Sequence, residues 1–209
     1  MRGGAVFFRG SSGAAARAYL AADRTASADD YYLEKGELTA SRFVFDGAGK
    51  MVESGTLNAQ AYQGWVEWVD PSTGEVRGAR RENSVLFLDK VINVDKSLSV
   101  AAVLDPRIAQ QLDAALEQMA RELMVYAATE MHTRVGPRGA QVWAPVEKLE
   151  AVTVAHRTSR EGDPHRHLHL QFLNRVFAAG AWRALDTAEF VKHNAAMNRL
   201  GEAVLASHA

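Results

Sequence analysis

The chain has 209 residues, of which 47% are hydrophobic and 23% charged, with a formal net charge of −1. This composition supplies the core of one domain, and it lacks the strong positive excess common in nucleic-acid-binding domains. The chain contains no cysteine, so disulfides are excluded and any metal site must use nitrogen and oxygen ligands. No apolar run approaches the roughly 18 residues of a membrane-spanning helix. We therefore expect a cytoplasmic protein that does not bind membranes.

The first half of the chain alternates between short apolar runs and helical patterns. Ser11 and Ser12 are candidate N-caps of an alanine-rich helix, and the apolar residues of 56–69 recur at near-helical spacing. An acidic residue, Asp89, lies within the clearest early strand. The predicted elements of this half are a strand over 4–10, a helix over 11–22, a strand over 42–46, a helix over 56–69, a strand over 84–94 and a helix over 95–105.

The second half begins with a long helix, for which Pro106 suits the first turn. Its apolar positions from Ile108 to Tyr126 step by three and four, and Asp186 is the predicted cap of a final helix. The predicted elements of this half are a helix over 106–133, strands over 138–146, 148–158, 166–177 and 180–185, and a helix over 186–207. Together they predict an α+β fold with a central antiparallel sheet of about five strands and helices packed against it.

The stretch "AHRTSREGDPHRHLHLQF" (155–172) contains four of the seven histidines of the chain. On a strand, alternate residues share a face, so His165, His167 and His169 point the same way. An antiparallel turn would set His156 of the preceding strand opposite His167. Three converging imidazoles suit a catalytic metal, which takes about three protein ligands and keeps one position open. Ordinary packing and a closed structural site with His165 as fourth ligand are the alternatives.

The spacing of this stretch is more specific than its histidine count. It reads His, two residues, Ser-Arg, three residues, Pro, two residues, His-x-His, and Asn five residues later. The residues in these positions are His156, Ser159, Arg160, Pro164, His167, His169 and Asn174. The pattern resembles the three-histidine motif of conjugative relaxases of the TraI/TrwC (MobF) class, within the HUH endonuclease superfamily. His165 is an extra residue in this pattern and is not expected to be a direct ligand.

The resemblance extends over most of residues 10–209, at modest identity outside the motifs. The segment "FLDKVINVDKSLS" looks like the strand-to-helix segment of the family, in which an acid stands behind a metal-binding histidine. The resemblance thus implies that Asp89 orients an imidazole and that His156, His167 and His169 hold a divalent ion such as Mg²⁺, Mn²⁺ or Zn²⁺. It also implies that residues 1–209 form a single relaxase domain, as the N-terminal part of a longer protein.

Relaxases of this class attack DNA with N-terminal tyrosines, which often occur as two adjacent pairs. Tyr19 matches the first member of the first pair, whose second member is Leu20 here, and Tyr31 and Tyr32 match the second pair. We favour Tyr19 as the primary nucleophile and Tyr31 as the second. The implied reaction nicks one DNA strand, leaves a 5′-phosphotyrosine and rejoins the strand by reversal. An aromatic packing role is the alternative for each tyrosine.

The implied partner is single-stranded DNA from a plasmid transfer origin, together with other proteins of the transfer complex. Basic residues near the histidines are the candidate phosphate contacts, namely Lys96, Arg157, Arg160 and Arg166. Three other functions remain open at this point. One is a rolling-circle replication initiator, although these usually have a single His-x-His pair with the tyrosines downstream of it. The others are a metal-dependent hydrolase that uses bound water, and a non-cleaving module that binds single-stranded DNA.

Overall fold

A computed structural model describes residues 4–9, 12–22, 40–159 and 161–208. The predicted site residues Tyr31, Tyr32 and Arg160 lie outside the described residues. Within those ranges the chain forms ten strands and five helices. The strands are β1 (Ala5–Phe8), β2 (Ala40–Asp46), β3 (Met51–Leu57), β4 (Phe87–Asn93), β5 (His132–Val135), β6 (Val142–Pro145), β7 (Lys148–Thr158), β8 (Pro164–Leu173), β9 (Val176–Ala178) and β10 (Ala181–Arg183). The helices are α1 (Gly13–Ala22), α2 (Ala59–Val66), α3 (Lys96–Leu104), α4 (Pro106–Glu130) and α5 (Thr187–Ser207).

The main sheet runs in the order β1-β4-β8-β7-β2-β3 with antiparallel pairs, and β9 joins β7 and carries β10. Strands β5 and β6 form a separate hairpin. The α+β fold with an antiparallel sheet is confirmed, but the sheet has more than the predicted five strands. Strand β3 was missed because all its residues before Leu57 are exposed, so no alternation marks it. Strand β5 was missed because α4 ends at Glu130 and not at 133.

The sheet is covered on both faces, and central strand β8 separates two apolar clusters. Leu168, Leu170 and Phe172 belong to the cluster that includes residues of α4 and α5. The opposite face of the sheet packs against α1 and α2 through a second cluster, which includes Tyr62 and Trp65. The polar residues of β8 that alternate with the leucines therefore face α1 and α2. Because of this alternation, the candidate metal ligands of β8 lie on the face of the sheet that packs against α1 and α2.

Side-chain caps set the beginnings of three helices. Oδ1 of Asn58 accepts a hydrogen bond from the Ala61 N–H (2.9 Å), which starts α2 three residues later than predicted, after β3 has ended. Asp105 caps α4 beside Pro106. Asp186 caps α5, as predicted. Among the described residues, no helix combines the length and the apolar character needed to cross a membrane.

A buried carboxylate ties the segment after α2 to the sheet. Glu150 of β7 is fully buried, and it accepts hydrogen bonds from the guanidinium groups of Arg77 (2.8 Å) and Arg42 (3.1 Å), which are also buried. Arg42 makes a second ion pair with Glu53, which is partly exposed. Arg77, from the basic run of residues 76–81, is therefore part of the folded core. Its charge is not available to an external partner.

We expect Glu150→Ala to lower the free energy of unfolding by about 3–5 kcal/mol, because it removes the buried carboxylate that two buried guanidinium groups share. The matched control is Glu53→Gln, which removes the more exposed ion pair of the same Arg42 and is expected to cost at most about 1 kcal/mol. Urea unfolding of both variants, followed by circular dichroism, measures the difference. Equal losses would show that Glu150 has no special role in stability.

Candidate metal centre

Three buried histidines lie together on the sheet face that packs against α1 and α2. His156 of β7 and His167 of β8 are directly paired across the two strands, and His169 lies two residues farther along β8. Their exposed fractions are 2%, 4% and 1%. One ligand nitrogen of each lies within 4.8 Å of the others. Three imidazole nitrogens this close together could be ligands of one metal ion and leave a coordination position open.

Hydrogen bonds fix which nitrogen of two imidazoles faces the centre. Nδ1 of His169 contacts a carboxylate oxygen of Asp89 at 2.7 Å, and Nδ1 of His167 contacts the carbonyl oxygen of His165 at 2.9 Å. Both oxygens accept hydrogen bonds, so each Nδ1 carries a proton, and in the neutral ring each Nε2 then has the lone pair that a metal needs. Asp89 is fully buried on β4, the strand next to β8. A carboxylate behind a ligating imidazole is a common support of metal sites.

Tyr19 of α1 stands beside this cluster. Its ring meets the ring of His169 edge-on, with the centroids 6.1 Å apart, and it also contacts Phe8 at 5.6 Å. The Tyr19 side chain is half-buried. The structure thus brings a phenol from the N-terminal helix to the edge of the three-histidine cluster. A substrate that reaches the imidazoles would also reach the phenol.

Helix α1 is held in this position by close contact with α2. The Gly13 N–H donates to Oε1 of Glu67 at 2.7 Å. A Cβ atom at Gly13 would lie 2.4 Å from the carbonyl oxygen of Gln63, so only glycine fits this crossing. Ala16 is fully buried in the second apolar cluster. The approach of the two helices therefore determines where Tyr19 lies.

Other residues of the histidine motif shape the strands that carry the ligands. Ser159 closes the turn between β7 and β8, since its N–H donates to the Asp163 carbonyl (2.9 Å) and its carbonyl accepts from the Gly162 N–H (3.0 Å). Gly162 has φ of 85°, a conformation that suits glycine. Nδ2 of Asn174 donates to the carbonyl of Val85 at 2.8 Å and so ties the end of β8 to the chain just before β4. These contacts set the register on which the cluster depends.

The predicted phosphate contacts differ in exposure and in the side of the sheet on which they lie. Lys96 is exposed beside the β7–β8 turn, where it pairs with Asp163 (2.7 Å). The side chain of Arg157 is 29% exposed and lies 3.6 Å from Asp113 of α4. Arg166 is mostly buried, lies on the α4 face of β8 and donates to both oxygens of Asp113. This placement supports neither Arg157 nor Arg166 as a phosphate contact, because both side chains approach Asp113 on the α4 side of the sheet, away from the histidine cluster.

His165 packs against His167 with the ring centroids 4.8 Å apart, but it is not one of the three residues whose ligand atoms converge. We expect His165→Ala to leave Co²⁺ affinity nearly unchanged. By contrast, His167→Ala should weaken it by more than the roughly 10- to 100-fold typical of losing a group that only supports a ligand. Isothermal titration of both folded variants with Co²⁺ provides the measurement. Comparable losses would make His165 a ligand.

Two buried polar residues next to the cluster were not predicted as site residues. Tyr62 of α2 falls among apolar residues at helical spacing, so it was expected to be in the core. Gln171 lies two residues after His169 on β8 and therefore shares the face of the histidines. The hydroxyl of Tyr62 donates to Oε1 of Gln171 at 2.7 Å, and neither residue is exposed. The only sequence feature that could have indicated this pair is the polar Gln171, which lies on a strand whose two faces are both buried.

The chain is similar to known proteins over nearly its whole length. A family model described as TrwC relaxase matches residues 13–209. A metal-bound structure of conjugative relaxase TrwC in complex with oriT DNA is similar with a TM-score of 0.76 and 23% identity, over 99% of this chain and 69% of that chain. A structure of TrwC with a 27-mer DNA comprising the recognition hairpin and the cleavage site has a TM-score of 0.71 and 22% identity, over 99% and 68%. A search of curated proteins found no match.

The two kinds of similarity establish different things. At these identities the solved structures show that the fold is shared. The family model spans nearly the whole chain, from the tyrosine-bearing helix α1 to the end of α5. The predicted resemblance to conjugative relaxases is thereby confirmed. This chain belongs to the TrwC relaxase family.

Proposed function

We propose that the chain nicks and rejoins single-stranded DNA at a plasmid transfer origin through a 5′-phosphotyrosine intermediate. Membership of the TrwC relaxase family supports this function, as do the similar folds of TrwC structures solved with oriT DNA. The single observation that carries the proposal is the position of Tyr19. Its ring lies 6.1 Å from that of His169, at the edge of a buried three-histidine cluster.

In the proposed reaction, the hydroxyl oxygen of Tyr19 attacks the scissile phosphorus and loses its proton. The new bond joins the tyrosine oxygen to phosphorus, and the bond from phosphorus to the 3′-oxygen breaks. The 3′-oxygen leaves as a hydroxyl after taking up a proton. The number of phosphoester bonds is unchanged, so a 3′-hydroxyl can attack the intermediate and restore the strand without ATP. Tyr31 is the proposed second nucleophile.

His156, His167 and His169 are the proposed ligands of a divalent ion. Bound there, the ion would neutralise charge on the oxygens of the scissile phosphate. Neutral imidazoles suit zinc and similar transition metals better than Mg²⁺, which prefers oxygen ligands. Among Mg²⁺, Mn²⁺ and Zn²⁺, this set of donors therefore favours Zn²⁺ or Mn²⁺ over Mg²⁺. Asp89 would hold the ring of His169 in the orientation that binds.

Lys96 and Arg160 are the proposed contacts to neighbouring phosphates of the strand. The structure supports Lys96 because its side chain is 60% exposed at the turn that leads into β8. We propose a single relaxase domain over residues 1–209 that works with other transfer proteins. We propose that it acts in the cytoplasm, where plasmid DNA is found.

The decisive experiment incubates the protein with a randomised pool of single-stranded oligonucleotides and Mn²⁺, and then separates the products by denaturing electrophoresis. We expect a covalent protein–DNA adduct that forms from a narrow set of sequences, is absent with a chelator, and is reversed by an oligonucleotide with a free 3′-hydroxyl. Sequencing of the linked DNA then identifies the recognised site.

Other outcomes of this experiment would contradict the proposal. Cleavage without an adduct would indicate a hydrolase, and binding without cleavage would indicate a non-cleaving module. Adducts that form only with replication-origin DNA would indicate a rolling-circle initiator. The arrangement of one histidine from β7 and two from β8, with the tyrosine upstream of all three, favours the relaxase.

A further inference from the structure

Two fully buried side chains next to the histidine cluster have no part in the proposed reaction. Tyr62 donates a hydrogen bond to Oε1 of Gln171. Burial, and the nearby carboxylate of Asp89, raise the pKa of Tyr62 well above its ordinary value. Tyr62 therefore stays a neutral phenol and remains a donor. Because it is completely shielded from solvent, it cannot serve as a nucleophile for DNA.

The amide nitrogen of Gln171, Nε2, has a suitable hydrogen-bond acceptor in the neighbouring Asp89. Gln171 and Asp89 are directly paired across β8 and β4, where Cβ atoms lie about 4.5–5.5 Å apart on the same face. Nε2 of Gln171 and Oδ1 of Asp89 are both buried without a hydrogen-bond partner. One is a donor and the other an acceptor, so each is a suitable partner for the other. The second oxygen of Asp89, Oδ2, already contacts Nδ1 of His169.

We propose that Tyr62 and Gln171 are positioning residues for the metal centre, an inference that rests on the proposed role of the three histidines. Tyr62 fixes the orientation of the Gln171 amide. The Gln171 Nε2–H then donates to Oδ1 of Asp89 and holds the carboxylate in the plane that suits His169. The chain of contacts thus runs from helix α2 through two strands to one ligand, and it couples the packing of α2 to the strength of metal binding.

The test measures Co²⁺ binding to the whole protein by isothermal titration and by the visible absorption of the bound ion. Gln171→Met keeps the size of the side chain but removes its donor, and we expect roughly tenfold weaker binding, the lower end of the range for lost support of a metal ligand. Tyr62→Phe removes only the hydroxyl and should cause a smaller loss in the same direction. The double variant should lose no more than Gln171→Met alone, since Tyr62 acts through Gln171. The visible spectrum should shift in each variant.

The matched control is Tyr126→Phe, which removes a hydroxyl that contacts Nδ1 of His193 at 2.7 Å, between α4 and α5. It should leave Co²⁺ affinity and spectrum unchanged. Should Gln171→Met fail to fold, Tyr62→Phe alone decides the question. Wild-type affinity and spectrum in both folded variants, or in Tyr62→Phe alone, would overturn the inference while leaving the metal centre intact. If the wild type itself binds no Co²⁺, or binds it equally after His156→Ala, the proposed metal centre fails instead.

Discussion

Tyr19→Phe is expected to abolish the covalent protein–DNA adduct, with at least a roughly 10³-fold loss of cleavage, because it removes the attacking oxygen. The phenylalanine ring keeps the contacts with Phe8 and His169, so helix α1 should stay in place. The rate of adduct formation under single-turnover conditions, followed by denaturing electrophoresis, provides the measurement. Co²⁺ affinity should match that of the wild type, which separates loss of the nucleophile from damage to the metal centre.

Variants of the other N-terminal tyrosines complete this test. Tyr31→Phe should still form the first adduct but lose the second cleavage or the joining step. If the adduct persists in Tyr19→Phe and disappears in Tyr31→Phe or Tyr32→Phe, the assignment of the primary nucleophile is wrong, while the relaxase reaction itself stands. Tyr126→Phe serves again as the control, because its hydroxyl contacts His193 between α4 and α5.

His156→Ala, or treatment of the wild type with a chelator, is expected to reduce DNA cleavage by about 10²- to 10⁴-fold, since a bound ion contributes several kcal/mol of charge stabilisation in such reactions. Returning Mn²⁺ should restore the chelated wild type fully and the variant only in part. Cleavage rates are measured at saturating DNA concentration, so that a change in DNA affinity does not affect the comparison.

The matched control for this prediction is His193→Ala, which removes a histidine on α5 that lies outside the cluster and contacts Tyr126. Its cleavage rate should be close to that of the wild type. Full activity of His156→Ala would refute the metal role of the cluster. Equal losses in both variants would point to general destabilisation, which thermal unfolding would reveal.

Much of the site follows from two simple periodicities. Strand alternation places His167 and His169 on one face, and an antiparallel hairpin brings His156 opposite them. The structure has this register, with His156 paired to His167. These contacts are local in sequence, so the pattern of residues contains them. The position of Tyr19 depends on the crossing of α1 and α2 and could be expected only from the resemblance to relaxases.

The remaining features depend on contacts between distant segments. Arg166 was expected to contact phosphate, yet it pairs with Asp113, more than fifty residues away on α4. Tyr62 and Gln171 are separated by 109 residues, and neither has a local pattern that marks it as functional. Strand β3 is exposed along most of its length and has no alternation. In each case the deciding partner comes from another element, which periodicity within one segment does not reveal.

The direct pairing of His156 with His167 also constrains how this protein can diverge. Loss or gain of one residue within β7 before position 156 would turn that imidazole to the α4 side of the sheet, away from His167 and His169. The turn between the strands is under a similar constraint, because its length and its hydrogen bonds at Ser159 and Gly162 help to set which residues of the two strands are paired. The two strands and the turn between them should therefore keep their lengths in natural variants of this protein.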